Sequence, residues 1–267
     1  MPTLLEEMFI QTRAENRSAL IGYLPAGFPS KHGCKNAIAV LAKAGIDAVE
    51  IGYPYSDPVM DGPTIQQAAD ISLRAGTGAA DVFDTLKFAH ELGLPAVVMT
   101  YWNPIERYGI QRFASDISFN GGSGVITPDL TIEESQKWDE SARAAGINRI
   151  YVVAPSTADD RLARVTAECS GFVYAASLMG VTGTRTDLSS GGRDLVARVR
   201  QVTDLPVAVG LGVSTRDQAR TVAGYADGVI VGSAFIKTLL DAKDEESGLV
   251  ALSLLASELV AGVREGR

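Results

Sequence analysis

The chain has 267 residues, of which 46% are hydrophobic and 21% are charged. This composition is typical of a globular protein with a large core and excludes a mainly disordered chain. Asp and Glu total 32 against 24 Lys and Arg, which gives a net charge of −8. That sign disfavours nucleic acid and anionic membranes as partners. The two cysteines, Cys34 and Cys169, have no paired spacing, which disfavours a disulfide framework or a four-thiolate zinc site and favours a cytoplasmic protein.

The N-terminal region carries acidic residues where a signal peptide would be apolar. Glu6, Glu7 and Glu15 lie within the first twenty residues, and no uninterrupted run of 18 apolar residues occurs in the chain. We therefore expect neither a signal peptide nor a membrane-spanning helix.

Eight short runs rich in β-branched residues are each bounded by Gly, Pro or Asp, as expected for strands. They lie at residues 19–24, 48–53, 96–101, 124–127, 149–154, 172–177, 207–211 and 228–231. Helical periodicity fills residues 36–44, 80–92, 131–145, 161–167, 194–202 and 216–223. This alternation predicts α/β architecture, with a single (β/α)₈ TIM barrel over residues 1–267. Extra helices are predicted before the first strand, at 3–13, and after the last, at 248–263.

Two units of the predicted barrel are longer than the others, and their extra length follows the second and sixth strands. We predict active-site loops at residues 57–78 and 178–192, because loops after barrel strands lie on the catalytic face. Residues 180–185, Gly-Val-Thr-Gly-Thr-Arg, and the pair Gly191-Gly192 are typical of a mobile lid or of an ordinary flexible loop.

The second predicted strand, at residues 48–53, contains a carboxylate, Glu50. Alternation places Glu50 on the same face as Ala48 and Gly52. Val49 and Ile51 then face the opposite side, so we expect Glu50 to point into the barrel. A carboxylate buried there without a partner takes up a proton, which is how a general acid or base is tuned. The alternative is a buried structural ion pair.

Two further carboxylates follow this strand, Asp57 before Pro58 and Asp61 before Gly62. Each is a candidate second catalytic group. Each is also typical of a turn residue whose side chain bonds its own backbone. The spacing alone does not distinguish Asp57 from Asp61.

The seventh and eighth predicted strands end in small residues, at 210–214 and 232–234. Such ends let backbone N–H groups approach an anion, and a short helix beginning near Ser233 adds the positive end of its dipole. Barrels commonly bind phosphate at these two strands, so we predict a phosphate site that needs no Lys or Arg. Thr215 occupies the third glycine position of the dinucleotide fingerprint, and we therefore expect no nicotinamide site.

The residue types missing from the predicted strands narrow the chemistry further. No strand holds Lys, which disfavours a Schiff-base aldolase. His32 and His90 lie outside the strands without metal-ligand spacing, which disfavours metal and Ser-His-Asp mechanisms. We expect carboxylate acid/base chemistry on a phosphorylated small molecule, with no cofactor and no metal.

Residues 49–62, Val-Glu-Ile-Gly-Tyr-Pro-Tyr-Ser-Asp-Pro-Val-Met-Asp-Gly, resemble the signature of the tryptophan synthase α subunit family. The similarity continues through residues 24–27, 99–101, 128–130, 180–183, 210–214 and 231–234 and covers nearly the whole chain. It implies a lyase that cleaves indole-3-glycerol phosphate to indole and glyceraldehyde 3-phosphate. It also implies that indole passes to a pyridoxal-phosphate β subunit in an α₂β₂ assembly.

The resemblance also implies roles for individual residues. Glu50 would move protons to indole C3 and from the glycerol hydroxyl, and Asp61 would accept a hydrogen bond from the indole N–H. The implied substrate-binding residues are Tyr101, Tyr174, Thr182, Gly183, Leu211, Gly212, Gly232 and Ser233. Within that set, Gly183, Gly212, Gly232 and Ser233 would contact the phosphate. Thr182 would orient the aspartate when the lid closes.

Four positions depart from the family pattern. Met60 stands where Ala is usual, Thr131 replaces Pro, Leu178 replaces Arg, and Leu211 stands where Phe is frequent. Met60 and Leu211 bear on the shape of the indole pocket. Thr131 and Leu178 bear on the lid and the partner contacts, and both carboxylates are retained.

Other functions consistent with such a barrel form three groups. Indole-glycerol-phosphate synthases, phosphoribosyl isomerases and pentose-phosphate epimerases usually need a strand Lys or a metal. A non-catalytic phosphate-binding subunit would not need Glu50 and Asp61. A stand-alone lyase that releases indole without a β subunit is the remaining alternative.

Overall fold

A closed barrel of eight parallel strands forms the centre of the computed structural model, which describes residues 2–176, 190–210 and 212–267. Each strand pairs with the next in chain order, and the eighth pairs with the first. The strands are β1 (Ala19–Pro25), β2 (Ala48–Gly52), β3 (Ala96–Met99), β4 (Gly124–Thr127), β5 (Asn148–Val153), β6 (Val173–Ala176), β7 (Val207–Gly210) and β8 (Gly228–Val231). The predicted barrel is confirmed, and all eight predicted strands coincide with observed ones.

Helices cover the outside of the barrel and one of its ends. In the described residues they are α1 (Leu4–Ala14), α2 (Lys31–Ala44), α3 (Pro63–Arg74), α4 (Ala79–Glu91), α5 (Trp102–Tyr108), α6 (Ile110–Phe119), α7 (Gln136–Ala145), α8 (Asp159–Glu168), α9 (Ser190–Val199), α10 (Arg216–Ala223), α11 (Ser233–Leu240) and α12 (Glu245–Arg264). The six predicted crossover helices are confirmed, although α7 begins at Gln136 rather than at residue 131.

The prediction of one loop through residues 57–78 is wrong for its central part, which forms α3. Gly62 is the N-cap and Pro63 occupies the first turn, where a missing N–H costs no helical hydrogen bond. Only Ala68, Ala69 and Ser72 of this helix are buried, so its apolar stripe is too narrow to stand out in the sequence. Helices α5 and α6 were not predicted either. In the other predicted loop, residues 190–192 begin α9, and residues 178–189 lie outside the described part of the chain.

Strand residues alternate between the barrel interior and the layer beneath the helices. The interior cluster contains Ala48 of β2 together with Val97, Ile126, Ile150, Ala208 and Ile230 from other strands. Val49 and Ile51 pack in the outer layer. This arrangement confirms the predicted alternation in β2 and directs Glu50 toward the interior.

Helix α1, which confirms the helix predicted at residues 3–13, closes the amino end of the barrel. Its N-cap Thr3 and Glu6 form a capping box, in which the Thr3 N–H donates to Glu6 Oε2 at 2.7 Å. Its residues Leu5, Met8 and Phe9 belong to the interior cluster, and the Phe9 ring lies 5.6 Å from that of Phe172. The interior is therefore filled at this end, and any ligand site must lie toward the carboxyl ends of the strands.

Helix α12 is long and apolar enough to cross a membrane by length and composition alone, with a mean hydropathy of 1.5. It packs against α2, α10 and α11, and Leu252, Ala256 and Leu259 are among its buried residues. Packing on the barrel accounts for part of its apolar composition, since Val250 and Leu254 of the same helix are exposed.

Candidate active site

Glu50 lies in the barrel interior with 1% of its surface exposed, and its Oε2 atom has no hydrogen-bond partner among the residues that the structure describes. No Lys or Arg in the described residues forms an ion pair with it. Burial raises the pKa of the Glu50 carboxyl to about 8, and the Asp61 carboxylate nearby adds to this shift. The carboxyl is therefore protonated at neutral pH. The structural ion pair considered as an alternative is absent from the described part of the protein.

Asp61 lies on the segment between β2 and α3, close enough to Glu50 for its charge to raise the pKa of that carboxyl. Burial raises the pKa of the Asp61 carboxyl, and hydrogen bonding with the Tyr101 hydroxyl offsets part of the increase. Tyr101 also holds the backbone here, because the Met60 N–H donates to Tyr101 Oη at 3.1 Å. Burial and the Asp61 charge raise the pKa of Tyr101 to about 12. Asp61 and Glu50 thus form a pair of neighbouring carboxyl groups with raised pKa values.

Asp57, the other candidate, does not enter the site. Its side chain is exposed and accepts a hydrogen bond of 2.5 Å from the Ser56 hydroxyl. The structure therefore distinguishes the two aspartates that the spacing left equivalent.

Two tyrosines face the carboxyl pair from other strands. Tyr174 of β6 was expected there from the family resemblance, whereas Tyr23 of β1 was missed. Tyr23 is in register with Glu50 on the neighbouring strand. Burial raises the pKa of both hydroxyls, and the Glu50 and Asp61 carboxyl groups raise them further. Period-two alternation from Ile21, which lies in the interior cluster, is the sequence signal that identifies Tyr23 as an inward residue.

Glycines at the strand ends make room for these rings. A Cβ on Gly52 would lie 2.3 Å from Tyr23 Oη, and one on Gly210 would lie 2.6 Å from Tyr174 Oη. A Cβ on Gly232 would approach Tyr23 ring atoms to 3.1 Å. Any other residue at 52 or 210 would displace a tyrosine from the site.

The predicted phosphate residues divide between described and undescribed parts of the chain. Gly212 follows β7 with φ of 71°, a conformation that favours glycine. Gly232 is the N-cap of α11 and makes no side-chain capping hydrogen bond. The N–H groups of the first turn, at the carboxyl end of the barrel, therefore lack a capping side chain. Thr182, Gly183 and Leu211 lie outside the described residues.

The segment after β4 holds the backbone that follows Tyr101 at the carboxyl end of β3. Asp129 accepts hydrogen bonds from the Trp102 N–H at 2.9 and 3.1 Å, so a carboxylate from one loop caps the helix that follows another strand. Burial raises the pKa of Asp129, and the Trp102 N–H opposes the increase. This interaction holds the start of α5 next to Tyr101.

A closed (β/α)₈ barrel with the Asp61 carboxyl near that of Glu50 on β2 is the arrangement expected of the class of enzymes that use carboxylate acid/base chemistry. Comparison with known proteins identifies the member of that class. The family model described as tryptophan synthase alpha chain matches residues 9–264, so the chain belongs to the tryptophan synthase alpha chain family. It is therefore a carbon–carbon lyase of tryptophan biosynthesis.

Individual relatives are similar to this chain over nearly its full length. The tryptophan synthase alpha chain of Streptomyces avermitilis is 57% identical over 98% of this chain and 95% of its own. That of Streptomyces coelicolor is 54% identical over 98% of this chain and 97% of its own. A solved structure of Mycobacterium tuberculosis tryptophan synthase has a TM-score of 0.91 at 47% identity, covering 99% of each chain.

The raised pKa of Glu50 predicts a pH-dependent stability. Between its ordinary value of 4.5 and about 8, folded Glu50 retains a proton that the unfolded chain has lost, so the free energy of unfolding falls as pH rises. The slope for one proton is about 1.4 kcal/mol per pH unit. In Glu50→Gln this contribution is absent, and the variant should gain stability relative to wild type as pH rises through this window. Urea unfolding of both proteins at a series of pH values measures the difference.

Titrating groups that do not interact with Glu50 are common to the two proteins and cancel in that difference, whereas Asp61 is coupled to Glu50 and contributes to it. The variant Asp57→Asn changes an exposed carboxylate of the neighbouring segment and serves as the control. A Glu50→Gln curve parallel to wild type would contradict the assignment of a raised pKa to Glu50.

Proposed function

We propose that Glu50 and Asp61 catalyse cleavage of indole-3-glycerol phosphate to indole and glyceraldehyde 3-phosphate. The observation that carries this proposal is the buried, partnerless Glu50 carboxyl beside Asp61. An acid that is protonated at neutral pH is suited to deliver a proton to carbon, and its conjugate base is suited to take one from a hydroxyl.

In the first step the Glu50 carboxyl donates its proton to indole C3. The ring then carries positive charge at its nitrogen, whose N–H donates a hydrogen bond to the Asp61 carboxylate. A carboxylate fixed in a water-poor site stabilises such developing charge more strongly than water does. Tyr101 helps to hold Asp61 in place through the contacts described above.

In the second step the Glu50 carboxylate removes the proton from the hydroxyl on the carbon attached to C3. The carbon–oxygen bond becomes a carbonyl, the carbon–carbon bond breaks, and its electron pair returns to the indole ring. Neutral indole and an aldehyde phosphate result, and Glu50 regains the proton it gave. The same carboxyl thus serves as acid and then as base, and no metal or imine takes part in this scheme.

Removal of either carboxylate should lower turnover without unfolding the barrel. We expect Glu50→Gln and Asp61→Asn each to reduce kcat by about a hundredfold or more, the usual range for a positioned acid or base. Indole release from indole-3-glycerol phosphate gives the rate, and circular dichroism checks the fold.

Asp57→Asn is the matched control, because it removes a carboxylate from the same segment whose side chain lies outside the site. Its turnover should equal that of the wild type. Near wild-type activity in folded Glu50→Gln or Asp61→Asn would disprove the role given to that residue.

We also propose that the substrate phosphate binds main-chain N–H groups at Gly212, Gly232 and Ser233, with Gly183 as a fourth contact. Support comes from the uncapped first turn of α11 and from the left-handed Gly212. Four backbone donors and a helix dipole hold a phosphate dianion without Lys or Arg.

Ser233→Pro and Ser233→Ala separate the backbone from the side chain. Pro is tolerated at the first position of a helix but lacks an N–H, whereas Ala keeps the N–H and lacks the hydroxyl. We expect Ser233→Pro to weaken binding of glycerol phosphate about tenfold, as for loss of a hydrogen bond to a charged group, and Ser233→Ala to weaken it less. Calorimetry measures both constants. Equal affinity of a folded Ser233→Pro variant would move the phosphate elsewhere.

We further propose that the chain acts in the cytoplasm and docks a tryptophan synthase β subunit in an α₂β₂ assembly. The apolar side chains of Val59 and Met60 are 75% and 48% exposed on the segment that carries Asp61. Exposed apolar groups beside a catalytic residue suit a partner surface. A partner that contacts Val59 and Met60 also influences the position of Asp61, because all three lie on the same short segment.

If docking and ligand binding favour the same state of this segment, linkage requires each to strengthen the other. Glycerol phosphate should therefore lower the dissociation constant between the chain and a β subunit. Val59→Asp should raise that constant. Calorimetric titration of the two subunits with and without glycerol phosphate provides the test.

Val250→Asp is the matched control, because Val250 is 56% exposed on α12 away from the site. It should leave association unchanged. Dissociation constants that are the same with and without glycerol phosphate would contradict the coupling. An effect of Val250→Asp equal to that of Val59→Asp would place the docking surface elsewhere.

A further inference from the structure

Tyr23 occupies the part of the barrel rim between the proposed phosphate site and the carboxyl pair. The strand order makes β1 the neighbour of both β8 and β2. The Tyr23 ring lies against Gly232 at the end of β8, and its hydroxyl lies over Gly52 at the end of β2. A ligand that reaches from one site to the other by the shorter way round the barrel passes over this side chain.

The Tyr23 hydroxyl is available to such a ligand. No hydrogen bond within residues 2–176, 190–210 and 212–267 involves this hydroxyl, and the side chain is 6% exposed. The hydroxyl also stays protonated at neutral pH, because burial and the Asp61 and Glu50 carboxyl groups raise its pKa. A protonated phenol both donates and accepts one hydrogen bond.

The proposed substrate has a matching group. Its three-carbon chain carries the reacting hydroxyl at the carbon attached to indole, a second hydroxyl at the middle carbon, and the phosphate at the third. Glu50 uses the first hydroxyl and the main-chain donors take the phosphate, which leaves the middle hydroxyl without a partner. That hydroxyl belongs to the stretch of chain that crosses β1.

We infer that Tyr23 is a specificity-determining residue whose phenolic hydroxyl hydrogen-bonds the middle hydroxyl of the glycerol chain. This inference rests on the proposed function, since it takes the substrate and the positions of its two ends from there. A site that has a buried hydrogen-bonding group for a substrate hydroxyl rejects an analogue that lacks it, because the protein group is then left unpaired. Tyr23 therefore distinguishes a dihydroxypropyl phosphate chain from a deoxy chain.

Two substrates and two proteins test the contact. The analogue lacking only the middle hydroxyl keeps the group that Glu50 deprotonates, so it still yields indole. We expect kcat/KM for the wild type to fall about three- to tenfold from the natural substrate to this analogue, the range for one hydrogen bond. Tyr23→Phe should lose a similar factor on the natural substrate and little further on the analogue. The change should appear mainly in KM.

Tyr225→Phe is the control, because Tyr225 lies outside the site and its buried hydroxyl has no hydrogen-bond partner in the described part of the chain. It should keep the discrimination of the wild type. A wild-type enzyme with equal kcat/KM for both substrates would overturn the inference without recourse to any variant. The inference would also be overturned if folded Tyr23→Phe kept the wild-type ratio of kcat/KM between the two substrates. Absence of indole release by the wild type from the natural substrate would instead overturn the proposed function.

Discussion

The site depends on one constraint: the Glu50 carboxyl is buried inside a barrel whose interior is filled with side chains and whose outside is covered by helices. Water cannot solvate the charge there, and no cation in the described residues replaces it. The group consequently keeps its proton to a pKa of about 8. An ion pair at this position would stabilise the carboxylate and remove the acid. The absence of a cation beside Glu50 in the described residues therefore suits the acid role proposed for it, and burying an unpaired carboxyl costs stability.

The shape of the site comes from large residues on two strands that each lie over a glycine on the neighbouring strand. Tyr23 and Tyr174 extend across adjacent strands, and the residues they cover, Gly52 and Gly210, have no side chain. The rings supply apolar walls and leave their hydroxyls near the carboxyl pair. This complementarity means that a change at either glycine acts on the tyrosine before it acts on any ligand.

Much of the barrel and one half of the site could be predicted from the sequence. Strand alternation is strict, and a carboxylate among apolar residues is conspicuous, so Glu50 was assigned correctly to the interior. The choice between Asp57 and Asp61 depends on Tyr101, which follows another strand and whose position no local spacing reveals. Tyr23 was missed because β1 is apolar along its whole length. Period-two alternation separates its two faces, but the sequence alone does not show which face is inward. Roles for Thr182, Gly183 and Leu211 remain predictions, as they lie outside the described residues.

The closure of the amino end by α1 has a consequence for molecular traffic. With Leu5, Met8 and Phe9 filling that end, a molecule bound near Glu50 enters and departs through the carboxyl end of the strands. Two products made in a chamber with a closed floor share one exit. A β subunit docked over that mouth, as proposed above, would lie on this route, so a closed floor suits the delivery of a product to a partner.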